Sequence, residues 1–356
     1  MDATQVGPSG PRSGIARYVD GVLGARAVQE DLDVRALARS DAELAPGITR
    51  VEVRRRLSSG RPHLWEHQLR RAWEVRRAHP AVFHNPNPHA PVRPGVPWVQ
   101  TLHDVIPLVF DDPTLAGLRT QMARYGPRYA EADAVIAVSQ HAADEGVRLL
   151  DIDPARLHVI PHGVHPSFRA DGPSEPADPP YFAVVSEFSL RKGFGQAFAA
   201  VAQLADTGLP HRLRVAGRVP PWSAAQLDAL LAAAARPDRI SMEGFTPDLP
   251  AFLRGATATL VTSRYEGFGF TALESMACGT PVVAFANTSL PEVVGDGGVL
   301  VPDGDVEAMV DAAEAIATDP AHRSRLVAAG LARAAAFSWE ESGARHAAVY
   351  RQVAGR

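Results

Sequence analysis

The sequence predicts an α/β protein made of two doubly wound, Rossmann-like domains. Three observations carry this. Short β-branched apolar runs alternate with longer helical patterns along the chain, as strand–helix repeats do. A proline-rich break, Arg169–Pro180, interrupts the alternation and holds four prolines, at 173, 176, 179 and 180. The 356 residues suit two domains, at roughly 100–200 residues each.

In chain order, the strands expected in the first half are Ala81–His84, Trp98–Leu102, Ala134–Ser139 and Leu157–Ile160. Those in the second half are Tyr181–Ser186, Arg212–Ala216, Thr257–Thr262, Pro281–Phe285 and Val299–Val301. They read as continuous apolar runs, which suits parallel strands covered on both faces. Helical patterns at Phe194–Leu204 and Val306–Ala317 lie between them. The division is a first domain over 1–170, a second over 171–336, and a terminal helix over 337–356. Ligands are expected in a cleft at the carboxyl ends of the strands. The start is abrupt: only Met1–Thr4 precedes Gly7-Pro8-Ser9-Gly10. Either the first strand is very short or the native polypeptide begins upstream.

Composition narrows the class. Hydrophobic residues make up 46% and charged residues 21%, ordinary for a globular protein. The formal net charge of -4 gives no sign of a nucleic-acid partner. No apolar run reaches the roughly 20 residues of a membrane span, and no signal peptide is visible, so a cytoplasmic location is expected. The single cysteine, Cys278, excludes an internal disulfide and a cysteine zinc cluster.

The densest chemistry lies in Ser263–Pro281, SRYEGFGFTALESMACGTP. Gly267 and Gly269 place bare backbone before a helix running from about Phe270 to Cys278, a position that attracts anions. Gly279 follows as a helix-ending glycine. Glu266 and Glu274 stand eight residues apart, one at the loop mouth and one in the second turn. Each carboxylate can accept two hydrogen bonds from a vicinal diol, and a nucleotide sugar offers two diols. The plain alternative is a pair of solvated surface glutamates.

A second group follows the strand beginning at Tyr181, in Ser186–Gly195, SEFSLRKGFG. Arg191 and Lys192 are two cations fit to neutralise a departing diphosphate. The plain alternative is an exposed basic turn. In the first half, Pro8–Val22 is a glycine loop opening a helix. Thr101–Leu108, TLHDVIPL, puts His103 and Asp104 at a strand's carboxyl end.

The segment Ser263–Pro281 resembles the signature of glycosyltransferase family 4, in which Glu, seven residues and Glu enclose Gly-Phe-Gly. The likeness continues through MACGTPVVAF and SLPEVVGDGGVLV. It implies a GT-B fold with two domains facing across a cleft. It also implies transfer of a hexosyl group from a nucleoside diphosphate sugar, with retention, to a glycan, lipid-linked or small-molecule hydroxyl. On that likeness Glu266 contacts the hexose and Glu274 the ribose, while Gly267, Phe268, Gly269 and Thr271 line the sugar and diphosphate. Lys192, with Arg191, contacts phosphate. Gly217 and Arg218 approach the base, and Gly244-Phe245 is a weaker candidate for the base pocket. Gly14 meets the diphosphate from the first domain with Arg17 nearby, and His103 contacts the sugar. Asp104 orients His103 or meets the acceptor, and Asn85 lines the acceptor side. Ser139, His141 and His162-Gly163-Val164 also resemble family segments and read as structural. The flavour of TLHDVIPL and HGV is that of the mannosyltransferase-like branch, which suggests GDP-mannose and cell-surface polysaccharide synthesis.

No metal is expected. Asp303-Gly304-Asp305 has an Asp-x-Asp form, but Asp305 stands where a helix N-cap belongs, and Asp111-Asp112 precedes Pro113 in a loop. Arg50–His79 is rich in arginine, and Trp65, Leu69 and Trp73 share one helical face. That face either packs on the core or meets an anionic membrane surface or acceptor. The terminal helix, with Trp339, Val349 and Tyr350, is expected to cross back onto the first domain and to act near a hinge. Three rivals stand: a retaining phosphorylase or synthase of the same fold, a nicotinamide oxidoreductase, and a non-catalytic nucleotide- or glycan-binding protein. The oxidoreductase lacks its glycine fingerprint.

Overall fold

The computed structural model describes residues 1–7, 13–53, 64–88 and 93–355, without the side chains of 64–68 and 70. The strands are β1 (Arg35–Ala38), β2 (Thr49–Glu52), β3 (Phe83–Asn85), β4 (Trp98–Leu102), β5 (Ala134–Ala137), β6 (Leu157–Val159), β7 (Tyr181–Val185), β8 (Arg212–Ala216), β9 (Ile240–Gly244), β10 (Ala258–Val261), β11 (Val282–Phe285) and β12 (Val299–Val301). The helices are α1 (Gly14–Gly24), α2 (Arg26–Gln29), α3 (Leu64–Ala78), α4 (Ile106–Val109), α5 (Ala116–Tyr125), α6 (Gln140–Leu150), α7 (Phe194–Asp206), α8 (Ala224–Ala233), α9 (Leu249–Gly255), α10 (Phe270–Ala277), α11 (Leu290–Val294), α12 (Val306–Thr318), α13 (Pro320–Ala335) and α14 (Trp339–Ala354). One compact unit comprises Met1–Gly163 and Phe337–Arg356; the other comprises Val164–Ala336. Arg169–Pro180, expected as the linker, lies inside the second unit.

The second unit is one parallel six-stranded sheet in the order β12-β11-β10-β7-β8-β9. β7, β10 and β11 are buried along almost their whole length, which is why they read as unbroken apolar runs. Phe182, Phe194, Phe198 and Phe285 anchor the core between the sheet and α7 and α12. Each such buried ring is worth about 1.5–3 kcal/mol. The chain runs outward one way from β7 to β8 and β9, and the other way from β10. The β7–β10 boundary is therefore the sheet's topological switch point, where open α/β sheets hold ligands.

In the first unit, β3-β4-β5-β6 form a parallel sheet and β1-β2 a parallel pair. Met1–Ala3 stand between the two. Asp2 bridges Leu37, and its N–H donates to the His84 carbonyl at 2.9 Å. Asp2 thus makes an isolated bridge there, with no named strand before β1 among the described residues. Asp2 is fully buried and pairs with Arg71 on α3 at 2.6 Å.

α14 belongs to the first unit, as the sequence suggested for the terminal helix, and packs on α1 and α2. A Cβ at Gly163 would meet the Trp339 backbone nitrogen at 2.2 Å, so the start of α14 accepts only glycine there. Ser139 N-caps α6 through its hydroxyl, a structural role as read from the sequence.

α3 overturns one expectation. Among its described side chains the buried ones are Ala72 and Val75, while Leu69 and Trp73 are 52% and 57% exposed. Leu69 and Trp73 therefore do not pack on the core, and Arg77 stacks over the Trp73 ring at 5.4 Å. The Trp65 side chain and the arginines at 54, 55, 56 and 61 lie outside the described residues.

Candidate active site

The loops that leave β7 and β10 meet at the switch point of the second unit. After β7, Leu190–Lys192 form one 3-10 turn, and Gly193 follows in the left-handed region at φ +64°. A Cβ on Gly193 would lie 2.0 Å from the Thr262 carbonyl oxygen. Glycine here lets the basic turn press against the end of β10. The Thr262 hydroxyl donates to the Lys192 carbonyl at 3.0 Å and locks the same contact.

That approach brings the cations to the carboxylate. The Lys192 ammonium lies 2.5 Å from Glu266 Oε1 and the Arg191 guanidinium 3.6 Å from Oε2. Arg191 also donates to the Tyr265 carbonyl at 2.6 Å. The three side chains are only 14–20% exposed, so neither the turn nor Glu266 is a solvated surface feature. Burial pushes the Glu266 carboxyl up, but Lys192 and then Arg191 outweigh it and hold it below the usual range. Two part-buried cations against one carboxylate make a cationic pair suited to a diphosphate.

Glu274, on α10, is 3% exposed. A buried carboxylate costs too much to be kept for solubility, so the surface reading does not hold for Glu274. Gly269 begins α10 with φ +104°. Gly267 and Phe268 precede it, and the Phe268 ring is buried edge-on to Phe270. Thr271 departs from expectation. Its hydroxyl donates to the Val185 carbonyl at 3.1 Å, tying α10 to the end of β7. That proton is committed and does not serve a phosphate.

Toward the sheet edge, a Cβ on Gly217 would lie 1.8 Å from the Ser186 carbonyl oxygen, and the Gly217 N–H donates to the Gly244 carbonyl at 2.7 Å. Glycine is required there by close backbone packing. Arg218 is exposed and pairs with Glu187 at 2.8 Å. Phe245, which follows Gly244, is 69% exposed.

The Asp-x-Asp segment resolves into structural parts. Asp305 N-caps α12 by accepting from the Ala308 N–H at 3.0 Å. Asp303 accepts from the Asn287 amide at 2.5 Å. Asp112 likewise caps its own turn through the Thr114 N–H at 2.8 Å.

The first unit places its candidates around Tyr18. Ser13 N-caps α1, and Gly14 is exposed at its first position; the loop residues 8–12 before it lie outside the described residues. The Arg17 backbone N–H donates to Ser13, at 2.9 Å, as part of the same first turn. Tyr18 meets the His103 ring edge-on at 5.2 Å. His103 Nε2 lies 2.8 Å from the Pro86 carbonyl. A carbonyl only accepts, so Nε2 carries the proton and Nδ1 does not. Burial lowers the His103 imidazole to about 4, despite the Pro86 hydrogen bond that raises it, so His103 is neutral at pH 7. Two assignments change. The orienting group for His103 is the Pro86 carbonyl, while Asp104 accepts from the Ile106 N–H at 3.0 Å. Asn85 is fully buried and donates to Gln100 at 2.7 Å, so it shapes the strand end and offers nothing to an acceptor.

Sequence reasoning missed a polar chain behind this cluster. His346 Nδ1 lies 2.7 Å from the Ser342 carbonyl, which fixes the proton there. His346 Nε2 then accepts from Tyr18 Oη at 2.7 Å. Tyr18 in turn accepts from Thr101 at 2.9 Å, and Thr101 accepts from His84 Nε2 at 2.7 Å. His84 Nδ1 accepts from Tyr350 at 2.6 Å. The chain starts and ends on α14, and every proton in it has one direction. Also missed was the loop after β11, Asn287–Ser289, which wraps the backbone of Glu266. Its only sequence signal was its place after a strand next to the switch point.

Residues 12–168 match the family described as glycosyltransferase family 4, and residues 169–333 match glycosyl transferases group 1. A D-inositol 3-phosphate glycosyltransferase 1 of Catenulispora acidiphila is 34% identical over 281 residues, covering 73% of this chain and 67% of that protein. A D-inositol 3-phosphate glycosyltransferase of Xylanimonas cellulosilytica is 33% identical over 251 residues, and there the match spans 64% of this chain and 58% of the relative. The O-antigen chain mannosyltransferase B of Escherichia coli is 29% identical over 301 residues, 77% of this chain and 75% of that one. Among solved structures, a sucrose-phosphate synthase from Thermosynechococcus elongatus superposes with a TM-score of 0.81 at 23% identity, covering 99% and 97% of the two chains. At these identities a structural likeness speaks to the fold alone. With both units matched and the acid pair and basic turn in place, the chain belongs to the family 4, group 1 glycosyltransferases of GT-B fold.

Proposed function

We propose that the protein transfers a hexosyl group from a nucleoside diphosphate sugar to an acceptor hydroxyl with retention, and that the second unit holds the donor. The observation that carries this is the buried arrangement of Lys192 and Arg191 on Glu266 at the switch point. In the step, the bond from the anomeric carbon to the diphosphate oxygen breaks and the acceptor oxygen bonds that carbon. The acceptor proton passes to the leaving phosphate. Lys192 and Arg191 meet the charge that develops on the diphosphate, so no metal ion is required. Glu266 takes the hexose hydroxyls and Glu274 the ribose. The mannosyltransferase relative supports a mannosyl donor, and the inositol phosphate glycosyltransferases support a small phosphorylated or glycan acceptor.

A thermal-shift screen of UDP, GDP, ADP and dTDP with their sugars, in EDTA, tests this. One nucleotide should raise the melting temperature without metal, GDP and GDP-mannose being expected, and Glu274→Ala should abolish the shift. No shift at millimolar concentration with any of them would remove the donor assignment.

A second reading concerns the first unit. Leu69 and Trp73 stand open on a helix with Arg76 and Arg77 in its last turn, which suits peripheral contact with an anionic membrane surface. Vesicles rich in anionic lipid should co-sediment the protein at low salt, and should hold a Leu69→Ser, Trp73→Ser variant less. Equal recovery of the two proteins in the supernatant would end this reading.

A further inference from the structure

The loop Asn287–Ser289 follows β11 and closes around Glu266 from two sides. The Thr288 hydroxyl oxygen accepts the Glu266 N–H at 3.0 Å, and the Ser289 hydroxyl donates to the Glu266 carbonyl at 2.9 Å. Thr288 Oγ1 lies 3.2 Å from Asn287 Oδ1, an acceptor, so its single proton goes there and its lone pair is left for Glu266. Asn287 is itself fixed. Its amide nitrogen donates to the Ser263 carbonyl at 3.0 Å and to Asp303 at 2.5 Å. A chain of direction-set hydrogen bonds thus runs from Asp303 through Asn287 and Thr288 to the backbone of Glu266.

Thr288 also holds φ at +46°. A β-branched residue in the left-handed region is a true outlier, kept only where its surroundings over-determine it. Glycine would sit there without strain and without a hydroxyl. The side chain is what the position retains.

We infer that Thr288, oriented by Asn287 and Asp303, is a positioning residue that fixes the Glu266 backbone and so aims its carboxylate at the hexose. This rests on the donor reading proposed above. It assigns to Thr288 a larger part in holding the sugar than in holding the nucleotide, because Glu274 lies outside its hydrogen bonds and Lys192 meets only the side chain of Glu266.

The test compares wild type, Thr288→Ser and Thr288→Val by two measurements. Hydrogen exchange of the peptide spanning 263–269 should quicken in Thr288→Val and stay at the wild-type rate in Thr288→Ser. Calorimetric affinities for GDP and GDP-mannose, or for the pair selected by the nucleotide screen, should then separate. Thr288→Val should lose about tenfold for the nucleotide sugar, as small misplacement of a contact group does. It should keep the affinity for the free diphosphate, and Thr288→Ser should restore both. Unchanged exchange in Thr288→Val would overturn the clamp. Faster exchange with equal losses for GDP and GDP-mannose would overturn the positioning role and leave only a structural one. If wild type binds neither nucleotide nor sugar, the donor reading fails, and the exchange comparison still reports whether the clamp exists.

Discussion

Lys192→Ala is expected to lower kcat/KM for transfer by about 10²–10³, the usual loss on removing one group that stabilises developing charge. The substitution acts twice. It removes one of the two cations proposed to meet the diphosphate. It also leaves Glu266 with Arg191, at 3.6 Å, as the remaining cation that holds it down. Burial pushes the Glu266 carboxyl up and Lys192 is the first group that holds it down, so the carboxyl should titrate at higher pH in the variant. The sign follows directly. In wild type the carboxylate form persists to lower pH than an ordinary glutamate, so protonation of Glu266 sets no acid limb above that range. In Lys192→Ala the acid limb of kcat/KM against pH should move upward. Rates measured with the donor selected by the nucleotide screen, from pH 4.5 to 8, check both effects. A loss of rate with an unmoved acid limb would mean that Lys192 serves the phosphate alone. An unmoved rate would remove it from the reaction.

The middle strands of the second unit's sheet, β7, β10 and β11, were legible because they are buried almost throughout. β8 and β12, and β4 in the first unit, have the bounds their apolar runs suggested. β1, β2 and β9 were not legible, for two different reasons. β9 is half-exposed throughout at the sheet edge, and β2 is mostly exposed, so neither needs an apolar run. β1 reads Arg-Ala-Leu-Ala, which is as good a helix as a strand. The α3 stripe misled because spacing finds the apolar positions of a helix but not which side the core lies on. Ala72 and Val75 are small and look unremarkable among arginines, yet they are the buried ones. In the candidate site, motif and strand-end position pointed together to Glu266, Glu274 and Lys192, and the structure sets Lys192 against Glu266 and buries Glu274. Thr288 was not, because its role depends on a backbone angle and on a contact across 22 residues, and neither leaves a periodic trace.

Acid should unfold the first unit well before it protonates the carboxylates. His84, His103, His162 and His346 are all driven down by burial, with His103 and His346 at about 4. Their neutral form is built into the structure. His346 Nε2 accepts from Tyr18, and His84 Nδ1 accepts from Tyr350. A proton on either nitrogen turns an acceptor into a donor facing a hydroxyl already aimed at it. Unfolded histidines titrate near 6.5, so the unfolded chain binds more protons from there down to about 4. The stability is complete above 6.5 and is lost as pH falls through that window. At pH 5 His346 alone should cost about 2 kcal/mol. Two such groups remove a large part of the about 5–15 kcal/mol that holds a domain together. Glu266, Glu243, Asp238 and Asp319 are lowered from 3.8 or 4.5, so their contribution is lost only below that range and does not blur the histidine window. His211 in the second unit moves the same way as the four histidines, so the comparison needs a variant. His346→Gln keeps an acceptor for Tyr18 and a donor for Ser342 but cannot take a proton. Its melting temperature should fall less between pH 7 and pH 5 than that of wild type, even if it starts lower. Parallel falls in the two proteins would show that α14 is not held by the neutral state of His346.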